Sequence, residues 1–535
     1  MNMKTFSRHL MMSALIAAPI AFSPALQAAT PADMLVIANR IDDITTVDPA
    51  EIFEFAGGDM ARNIYDRLVM FDPLNLDKGY GPGLAESWTV SEDGKTFTFK
   101  MRAGVKFHSG NPVTAKDAAY SLQRAVILKK TPSFILTQFG FNADNVKEMI
   151  KATDDMTLVI TTDKKYATSF VLNCLTATIG GIVDSKLVME NEKDGDMGYE
   201  WLKTNTAGSG AYKLKTWKPN ESYTLERVDG YWRGDVAMKR VIVRHIAESA
   251  TQRLLLEKGD VDIARNLSPE DMNAVAGKDG LALDFELRGR IMYFAMNQKD
   301  PILSKPKVRL AMKYLVDYKG MAGSFLKGQY AVHQAYLPRT YMGELADKPF
   351  SLDVAKAKAL LAEAGYADGF EVKMIVRNAQ ERVEIAQSLQ NTFAQAGIKS
   401  SIQTGTGKQI LGIYRARKHQ IYVGAWGPDY PDPHTNADTF ASNPDNADEA
   451  KLTGKLAWRN SWDIPQMTKD TVAAVVETDR DKRAAMYVAS QKIHQMNSPF
   501  AVMFQKNEPI GRRSNVKNFV IGGAISGAYY WKVTK

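Results

Sequence analysis

The alternation of helices and strands between residues 353 and 425 constrains the fold of this chain more than any other feature of its sequence. The predicted elements in this stretch are a helix at 353–365, a strand at 372–377, a helix at 380–397, a strand at 398–404 and a strand at 420–425. Strands joined through a helix run parallel in one sheet, so this order predicts a layered α/β unit. Gly365 is expected to end the first helix as its C-cap.

The first half of the chain has a different pattern. Residues 88–101 are typical of a hairpin, because phenylalanines alternate with polar residues and an Asp-Gly pair supplies the turn. Thr114 is a favourable N-cap for a helix that begins at Ala115. A chain of 535 residues is long enough for about three packing units. The predicted fold class is therefore α/β with two unlike lobes.

The first 29 residues have the features of a secretory signal peptide. Two basic residues precede an apolar run over residues 10–22, and small residues then lead to a predicted cleavage near Ala28 or Ala29. A membrane anchor is the alternative, but the run is shorter than the ~20 residues that a span needs. Cys174 is the only cysteine, so none follows the run to carry a lipid. We expect an exported protein, free in the periplasm and not lipid-anchored.

Charge argues against nucleic acid as a partner. The chain has 68 Lys and Arg against 60 Asp and Glu, a net charge of +8. This excess is spread along the chain, and the nearest approaches to basic clusters are short runs such as residues 415–418. A nucleic-acid-binding surface concentrates basic residues among aromatic ones. We therefore interpret these runs as solvated surface.

The sequence lacks the motifs of common enzymes and metal sites. It contains no HExxH, GxSxG, GxxxxGK[ST] or GxGxxG motif, and its histidines have no pair at ligand spacing. Residues 405–408, GTGK, lack the further glycines of a phosphate cradle and are interpreted as a turn. We expect no catalytic residues, metal or cofactor. An active site assembled from distant residues leaves no such motif, so an enzyme stays an alternative.

Several blocks of sequence resemble the solute-binding proteins of peptide/nickel-type ABC importers, the dipeptide- and oligopeptide-binding family. The most specific block is residues 83–118, which contains GLAESW, DGK, FTF and VTAKDA in the family's order. Shorter matches are VDPA at 47–50, GSGAYKL at 208–214 and LLAEAGY at 360–366. The resemblance runs from about Leu35 to Tyr530. Ala211 departs from the proline that the family usually carries after the glycine pair.

The resemblance implies a two-lobed periplasmic binding protein of type II, similar to cluster C, with an extra subdomain inserted in the first lobe. The implied units are a signal peptide (1–29), a discontinuous first lobe (30–75, 166–288 and 506–535), an inserted subdomain (76–165) and a second lobe (289–505). The chain then crosses between the lobes near Gly289 and near Gln505. Two such crossings act as a hinge, and ligand bound between the lobes closes them.

Residues 424–433, GAWGPDYPDP, are the strongest candidate for a ligand-binding segment. They follow a predicted strand, and three prolines restrict the backbone of the loop. Ligands of α/β sheets bind at the carboxyl ends of strands. Peptide-binding members of the family carry an aspartate in this loop that pairs with the ligand's α-ammonium, and Asp429 occupies the matching position. Trp426 and Tyr430 are expected to wall the cavity.

Three further residues complete the predicted site. Arg377 ends a predicted strand and resembles the arginine that holds the ligand carboxylate in dipeptide binders, a role that suits a bidentate donor. Phe53 and Phe55 fall where family members line the pocket. The structural alternatives are a surface position for Arg377, core packing for Phe53 and Phe55, and a turn ahead of proline for Asp429. Asp432 is assigned only such a turn role and is left out of the site.

The predicted function is capture of di- or oligopeptides between two closing lobes and delivery to an inner-membrane ABC permease, by a monomer without catalysis. An alternative within this class is a non-peptide solute, namely an opine, a glutathione-like compound, an oligosaccharide, a nickel chelate or haem. A cavity that selects a sugar needs aromatic platforms and no counter-charge for an ammonium. The effect of replacing Asp429 therefore distinguishes a sugar from a peptide. A periplasmic chaperone and an enzyme are the alternatives of other classes.

Overall fold

The computed structural model describes residues 30–72, 78–522 and 527–535, and the predicted signal peptide lies outside the described residues. The strands in these ranges are β1 (Met34–Asn39), β2 (Val69–Phe71), β3 (Tyr80–Pro82), β4 (Ala85–Val90), β5 (Thr96–Met101), β6 (Ile150–Ala152), β7 (Thr157–Thr161), β8 (Tyr212–Lys218), β9 (Ser222–Arg227), β10 (Arg240–His245), β11 (Ile263–Ala264), β12 (Leu281–Met296), β13 (Tyr330–Val332), β14 (Glu371–Arg377), β15 (Lys399–Gly405), β16 (Ile421–Trp426), β17 (Phe500–Arg513), β18 (Val520–Ile521) and β19 (Ala528–Tyr529).

The α-helices in the same ranges are α1 (Phe55–Ile64), α2 (Ala115–Ile127), α3 (Phe134–Thr137), α4 (Val146–Met149), α5 (Thr168–Leu175), α6 (Ser185–Glu190), α7 (Tyr199–Leu202), α8 (Ser249–Lys258), α9 (Pro269–Val275), α10 (Pro306–Tyr314), α11 (Tyr318–Gly323), α12 (Val354–Glu363), α13 (Gln380–Ala394), α14 (Gly407–Arg415), α15 (Pro433–Phe440), α16 (Leu456–Arg459), α17 (Pro465–Val476) and α18 (Arg480–Asn497). Across the described residues, none of these helices combines the length and apolarity needed to cross a bilayer.

One large mixed sheet runs through the molecule in the order β15-β14-β16-β12-β17-β11-β1-β10-β9-β8. Strand β14 pairs parallel with both β15 and β16, which is the arrangement that the helix–strand alternation predicts. At the other end of the sheet, β1 pairs parallel with β10 and β11, whereas β9 and β8 form an antiparallel hairpin. The α/β prediction is confirmed, and the two ends of the sheet differ as expected.

Two long strands connect the halves of this sheet. Strands β12 and β17 pair antiparallel over most of their length, but their ladder is interrupted between the pair Leu287–Asn507 and the pair Ile291–Gln505. This irregularity lies where the sequence predicts the two crossings between lobes. A break in the hydrogen-bond ladder is a natural place for a sheet to bend. The exact domain boundaries stay a prediction.

A separate four-stranded antiparallel sheet, in the order β4-β5-β7-β6, forms the centre of the predicted inserted subdomain. The predicted hairpin corresponds to β4 and β5, and Phe97 and Phe99 point into its fully buried core. Helix α2 covers this sheet and begins with a capping box, in which Thr114 and Asp117 each accept a hydrogen bond from the other's backbone. The lone Cys174 is buried in the same core.

Two local predictions concern helix ends. Gly365 follows α12 with a φ of +88°, the left-handed conformation that favours glycine after a helix. The prediction of a simple turn at residues 405–408 is wrong, because this segment ends β15 and begins α14. Thr406 caps α14 through a capping box with Gln409. The first turn of that helix contributes to the site described next.

Candidate ligand-binding site

A cavity of about 340 Å³, here called the larger cavity, lies between the two halves of the molecule. One wall comes from residues 52–55, the start of α1 and residues 177–179. The facing wall comes from β16, the loop at residues 427–429 and the ends of α14 and α16. The site therefore forms where segments distant in sequence meet, beside the interrupted ladder.

A smaller cavity of about 200 Å³ adjoins the first. The two share the lining residues Phe55, Leu411, Tyr422, Ala425 and Gly427, so they form one cleft. The remaining wall of the smaller cavity consists of three arginines and two residues of α14, namely Arg290, Arg377, Arg382, Gly407 and Ile410. Its described lining residues include no carboxylate.

The structure brings five of the six predicted site residues to this cleft. Asp429, Trp426, Phe53 and Phe55 line the larger cavity, and Arg377 lines the smaller one. Asp429 and Trp426 come from the loop after β16, at the carboxyl end of that strand, as expected for an α/β sheet. The ligand contacts of these residues stay predictions.

Tyr430 does not line either cavity. Its side chain is 2% exposed, and its ring packs against Phe170 of α5 at a centroid distance of 5.8 Å. Its hydroxyl lies 3.4 Å from Oε1 of Gln138. The expected place in the cavity wall is corrected here: the ring fills an apolar gap between the loop and α5, and no face of it is open to a ligand in this conformation.

Asp432, which is not among the predicted site residues, has a structural role. It accepts hydrogen bonds from Arg483 at 2.7 and 2.9 Å, and both side chains are fully buried. Its Oδ1 also accepts from the backbone N–H of His434 at the start of α15. This ion pair links the loop to α18 and thereby helps to hold Asp429 in position.

Asp429 combines an open face with a poorly solvated environment. The side chain is partly exposed to the cavity, and its backbone N–H donates to Oγ1 of Thr435 at 3.1 Å. Burial raises the pKa of Asp429 to about 7, although a hydrogen bond with Thr435 and the charge of Arg459 act in the opposite direction. Within the described part of the chain, no basic group forms an ion pair with it. A cation supplied by a ligand would stabilise its ionised form.

The aromatic side chains of the first wall are unusually open. Phe53 is 42% exposed and Phe55 is 47% exposed, so neither is a core residue. Phe53 meets the exposed Phe134 edge to face at 6.0 Å. A Cβ at Gly427 would lie 3.2 Å from the Phe55 ring, so the absence of a side chain there lets the two walls approach closely. Exposed aromatic groups in a cleft are typical of a ligand-binding wall.

Hydrogen-bond donors without acceptors also occur in these walls. Among the described residues, the buried indole Nε1 of Trp426 has no hydrogen-bond partner, and neither do the buried Nε atoms of Arg62 and Arg382. Trp426 and Arg62 line the larger cavity and Arg382 lines the smaller one. A buried donor without an acceptor is costly, so these groups favour a ligand that brings oxygen atoms.

Sequence reasoning missed five arginines of the cleft. Four of them come from separate segments that no local motif connects, namely Arg62, Arg290, Arg382 and Arg459. Arg415 belongs to the basic run 415–418, which was interpreted as solvated surface, but it contributes to the wall of the larger cavity. Arg415 is exposed, as that interpretation expects, but the interpretation misses its place in the cleft. Its place at the end of an amphipathic helix after a parallel strand is the only signal that could have pointed to the cleft.

A family model and several known proteins match this chain in sequence over most of its length. The family model of the bacterial extracellular solute-binding proteins, family 5 Middle, matches residues 79–448. The probable D,D-dipeptide-binding periplasmic protein DdpA of Escherichia coli K12 is 27% identical over 510 residues, which are 95% of each chain. The glutathione-binding protein GsiB of Pectobacterium atrosepticum is 25% identical over 505 residues, 92% of this chain and 91% of that protein.

A solved structure shares the fold over nearly the whole chain. The periplasmic binding protein DppA of Helicobacter pylori, in complex with the peptide STSA, superimposes with a TM-score of 0.77. It is 23% identical, and the match covers 94% of this chain and 98% of the other. This likeness confirms the predicted fold of a two-lobed periplasmic binding protein.

Proposed function

The chain belongs to family 5 of the bacterial extracellular solute-binding proteins, and from this premise we propose that it captures a short peptide in the cleft and delivers it to an inner-membrane ABC permease. The family consists of solute-binding transport proteins, and the relatives named above are by name a probable D,D-dipeptide-binding periplasmic protein and a glutathione-binding protein. We infer the periplasm as its location, reached through the predicted signal peptide at residues 1–29. We further propose that the protein binds and releases the peptide as a monomer, without a covalent step.

The observation that carries the peptide assignment is the distribution of charge along the cleft. Asp429 presents a carboxylate to the larger cavity, whereas Arg290, Arg377 and Arg382 line the smaller one. A free peptide carries an ammonium at one end and a carboxylate at the other. We assign the ammonium to Asp429 and the carboxylate to the arginines of the smaller cavity, with Arg377 as a bidentate donor.

The walls suit a ligand whose side chains vary. Phe53, Phe55 and Trp426 offer apolar surface that packs against many side chains without selecting one. The indole N–H of Trp426 lacks an acceptor, and a peptide carbonyl oxygen would supply it. Cavities of about 340 and 200 Å³ lie at the small end of ligand pockets, which favours peptides of a few residues.

The interrupted ladder between β12 and β17 supports a closing motion. Each wall of the larger cavity belongs to a different side of this irregularity, so bending there changes the distance between Phe55 and Asp429. Ligand contacts made by both walls stabilise the closed arrangement. A permease that recognises the closed lobes then distinguishes loaded from empty protein.

The experiment that tests the function is mass spectrometry of the small molecules released when freshly exported protein is denatured. Short peptides in the released fraction support the proposal. A sugar, haem or a metal chelate would contradict the peptide assignment while leaving the transport role in place. Substrate that is returned chemically altered would instead indicate an enzyme.

A further inference from the structure

Three arginines line the larger cavity without an ion pair to a described residue; Arg62 lies over the Tyr529 ring, and the other two are Arg459 and Arg415. Arg459 is the last residue of α16, and Arg415 is the last residue of α14. Neither lies within 4 Å of a described carboxylate. Arg459 is only 6% exposed, so water compensates little for its charge.

The surrounding structure holds Arg459 in place. Its Nε donates to the backbone carbonyl of Thr453 at 2.6 Å, and its guanidinium carbon lies 5.2 Å from the centre of the Tyr414 ring. These contacts use the inner nitrogen and one face of the group. The two terminal nitrogens make no hydrogen bond to any described residue. They are the donors that suit a bidentate carboxylate.

The carboxylates of the larger cavity do not neutralise this pair. Asp429 forms no ion pair with Arg459 or with another described basic residue, and burial raises its pKa to about 7 against the opposing charge of Arg459. Glu54 also lines the cavity, but its Oε2 accepts from the backbone N–H of Phe53 and it forms no ion pair with a described residue. Burial lowers the pKa of Arg415, and the charge of Arg459 lowers it further.

The peptide's α-carboxylate does not account for Arg415 and Arg459, because the smaller cavity already provides for it. That cavity contains Arg290, Arg377 and Arg382 together with the N-terminus of α14, and Arg382 is 7% exposed with an Nε that lacks an acceptor. Although burial acts in the opposite direction, the charges of Arg290 and Arg382 lower the pKa of Glu381, so this carboxylate offsets part of the charge of the smaller cavity. No described carboxylate does the same for Arg415 and Arg459 by an ion pair.

We propose that the ligand carries a second acidic group and that Arg415 and Arg459 bind it. The ligand class is then an acidic peptide with one ammonium and at least two carboxylates, and with a net negative charge. This inference rests on the proposed capture of peptides and specifies which peptides are captured. Arg459 is the fixed donor, and the exposed Arg415 turns towards the acidic group when the lobes close.

The test is calorimetry with matched dipeptides. Alanyl-glutamate is compared with alanyl-glutamine, and glutamyl-alanine with glutaminyl-alanine, because each pair differs in charge and hardly in shape. We expect at least one acidic peptide to bind about tenfold more tightly than its amide, since a charged hydrogen-bonded pair is lost in the amide. In the variant Arg459→Gln this preference should disappear, while the amide peptide keeps its affinity within about threefold.

Two further variants separate recognition from structure. Lys418→Gln removes an exposed charge of the same basic run that lines neither cavity, and it should leave the preference intact. Arg459→Lys keeps the charge and should restore part of the preference. Equal affinity for acid and amide in the unmodified protein would overturn the inference. Equal weakening of both peptides by Arg459→Gln would also overturn it, because that result indicates a structural role.

Failure of the proposed function is distinguishable from failure of this inference. If none of the dipeptides binds, the peptide assignment is in doubt, and the acidic groups are then counted on the solute that co-purifies with the protein. Methyl esterification before mass spectrometry shifts the mass once for each carboxylate. Two or more esters support the inference, whereas one or none refutes it.

Discussion

Replacement of Asp429 by asparagine tests the central contact of the proposed site. The substitution keeps the size of the side chain and removes the charge that faces the larger cavity. Two opposite charges about 4 Å apart attract by about 4 kcal/mol at the effective dielectric constant of about 20 that describes partly enclosed groups. Loss of one partner of an enclosed pair costs about 3–5 kcal/mol. We therefore expect affinity to fall by two to three orders of magnitude.

The measurement is calorimetry with ligand-free protein and the tightest-binding peptide of the dipeptide series. It is best made at about pH 7.5, because this value lies between the pKa of about 7 of Asp429 and the pKa of about 8 of a peptide's α-ammonium. Asp463→Asn is the matched control, since Asp463 is exposed and lines neither cavity. The N-acetylated peptide lacks the ammonium, so it should bind equally weakly to the unmodified protein and to Asp429→Asn.

Two results would refute this reasoning. A loss of less than threefold in Asp429→Asn would show that the carboxylate does not contact the ammonium. An acetylated peptide that still distinguishes the two proteins would show that Asp429 acts on another part of the ligand. A circular dichroism spectrum and a melting temperature like those of the unmodified protein exclude misfolding as the cause.

Three further predictions concern pH, stability and the limits of the site. Because burial raises the pKa of Asp429 to about 7, affinity for an amine-bearing peptide should rise between about pH 6 and 7.5, below the pKa of about 8 of the peptide's own ammonium, and this rise should be absent in Asp429→Asn; equal pH profiles in calorimetry would contradict this. Burial lowers the pKa of Lys313 well below its usual value. Stability should therefore rise with pH on the acid side of the ordinary lysine pKa of about 10.4, and Lys313→Met should reduce this slope by up to about 1.4 kcal/mol per pH unit in urea titrations; parallel slopes would refute the assignment. Tyr430→Phe should change peptide affinity by less than about twofold, because the ring packs on Phe170 and lines neither cavity; a larger loss would return Tyr430 to the site.

The parts of the fold that the sequence predicts correctly are those that local patterns encode. Strand β14 and its parallel neighbours follow from short apolar runs separated by helical stretches, and α2 begins where Thr114 and Asp117 form a capping box. The loop that carries Asp429 and Trp426 is also contiguous, so its place at the end of β16 is predictable. These features need no knowledge of which distant segments meet.

The arginines of the cleft come from segments that are distant in sequence. The sequence therefore does not predict that they lie together. Arg290 lies on β12, Arg382 on α13 and Arg459 on α16, and only the assembled sheet brings them to one cleft. A basic residue at a helix end has the same sequence pattern whether it faces bulk water or a cavity, which is why Arg415 was assigned to the solvated surface. Tyr430 is the opposite case. Its place in the loop predicts that it lines the cavity, but its ring is buried against Phe170, which is distant in the sequence.

A buried charge network connects the hinge with the first wall of the cavity. Glu508 on β17 accepts from Arg265 at 2.7 Å and lies 3.3 Å from Arg288, which belongs to the interrupted part of β12. Arg265 also pairs with Asp59 of α1 at 2.6 Å, and the first residue of α1 is Phe55. Because enclosed ion pairs bind α1 to strands β12 and β17, the proposed bend at the irregularity would move the wall that carries Phe55 as a unit relative to Asp429. The energy of the proposed closure would then come from the ligand's contacts with both walls, since neither wall would have to be rebuilt.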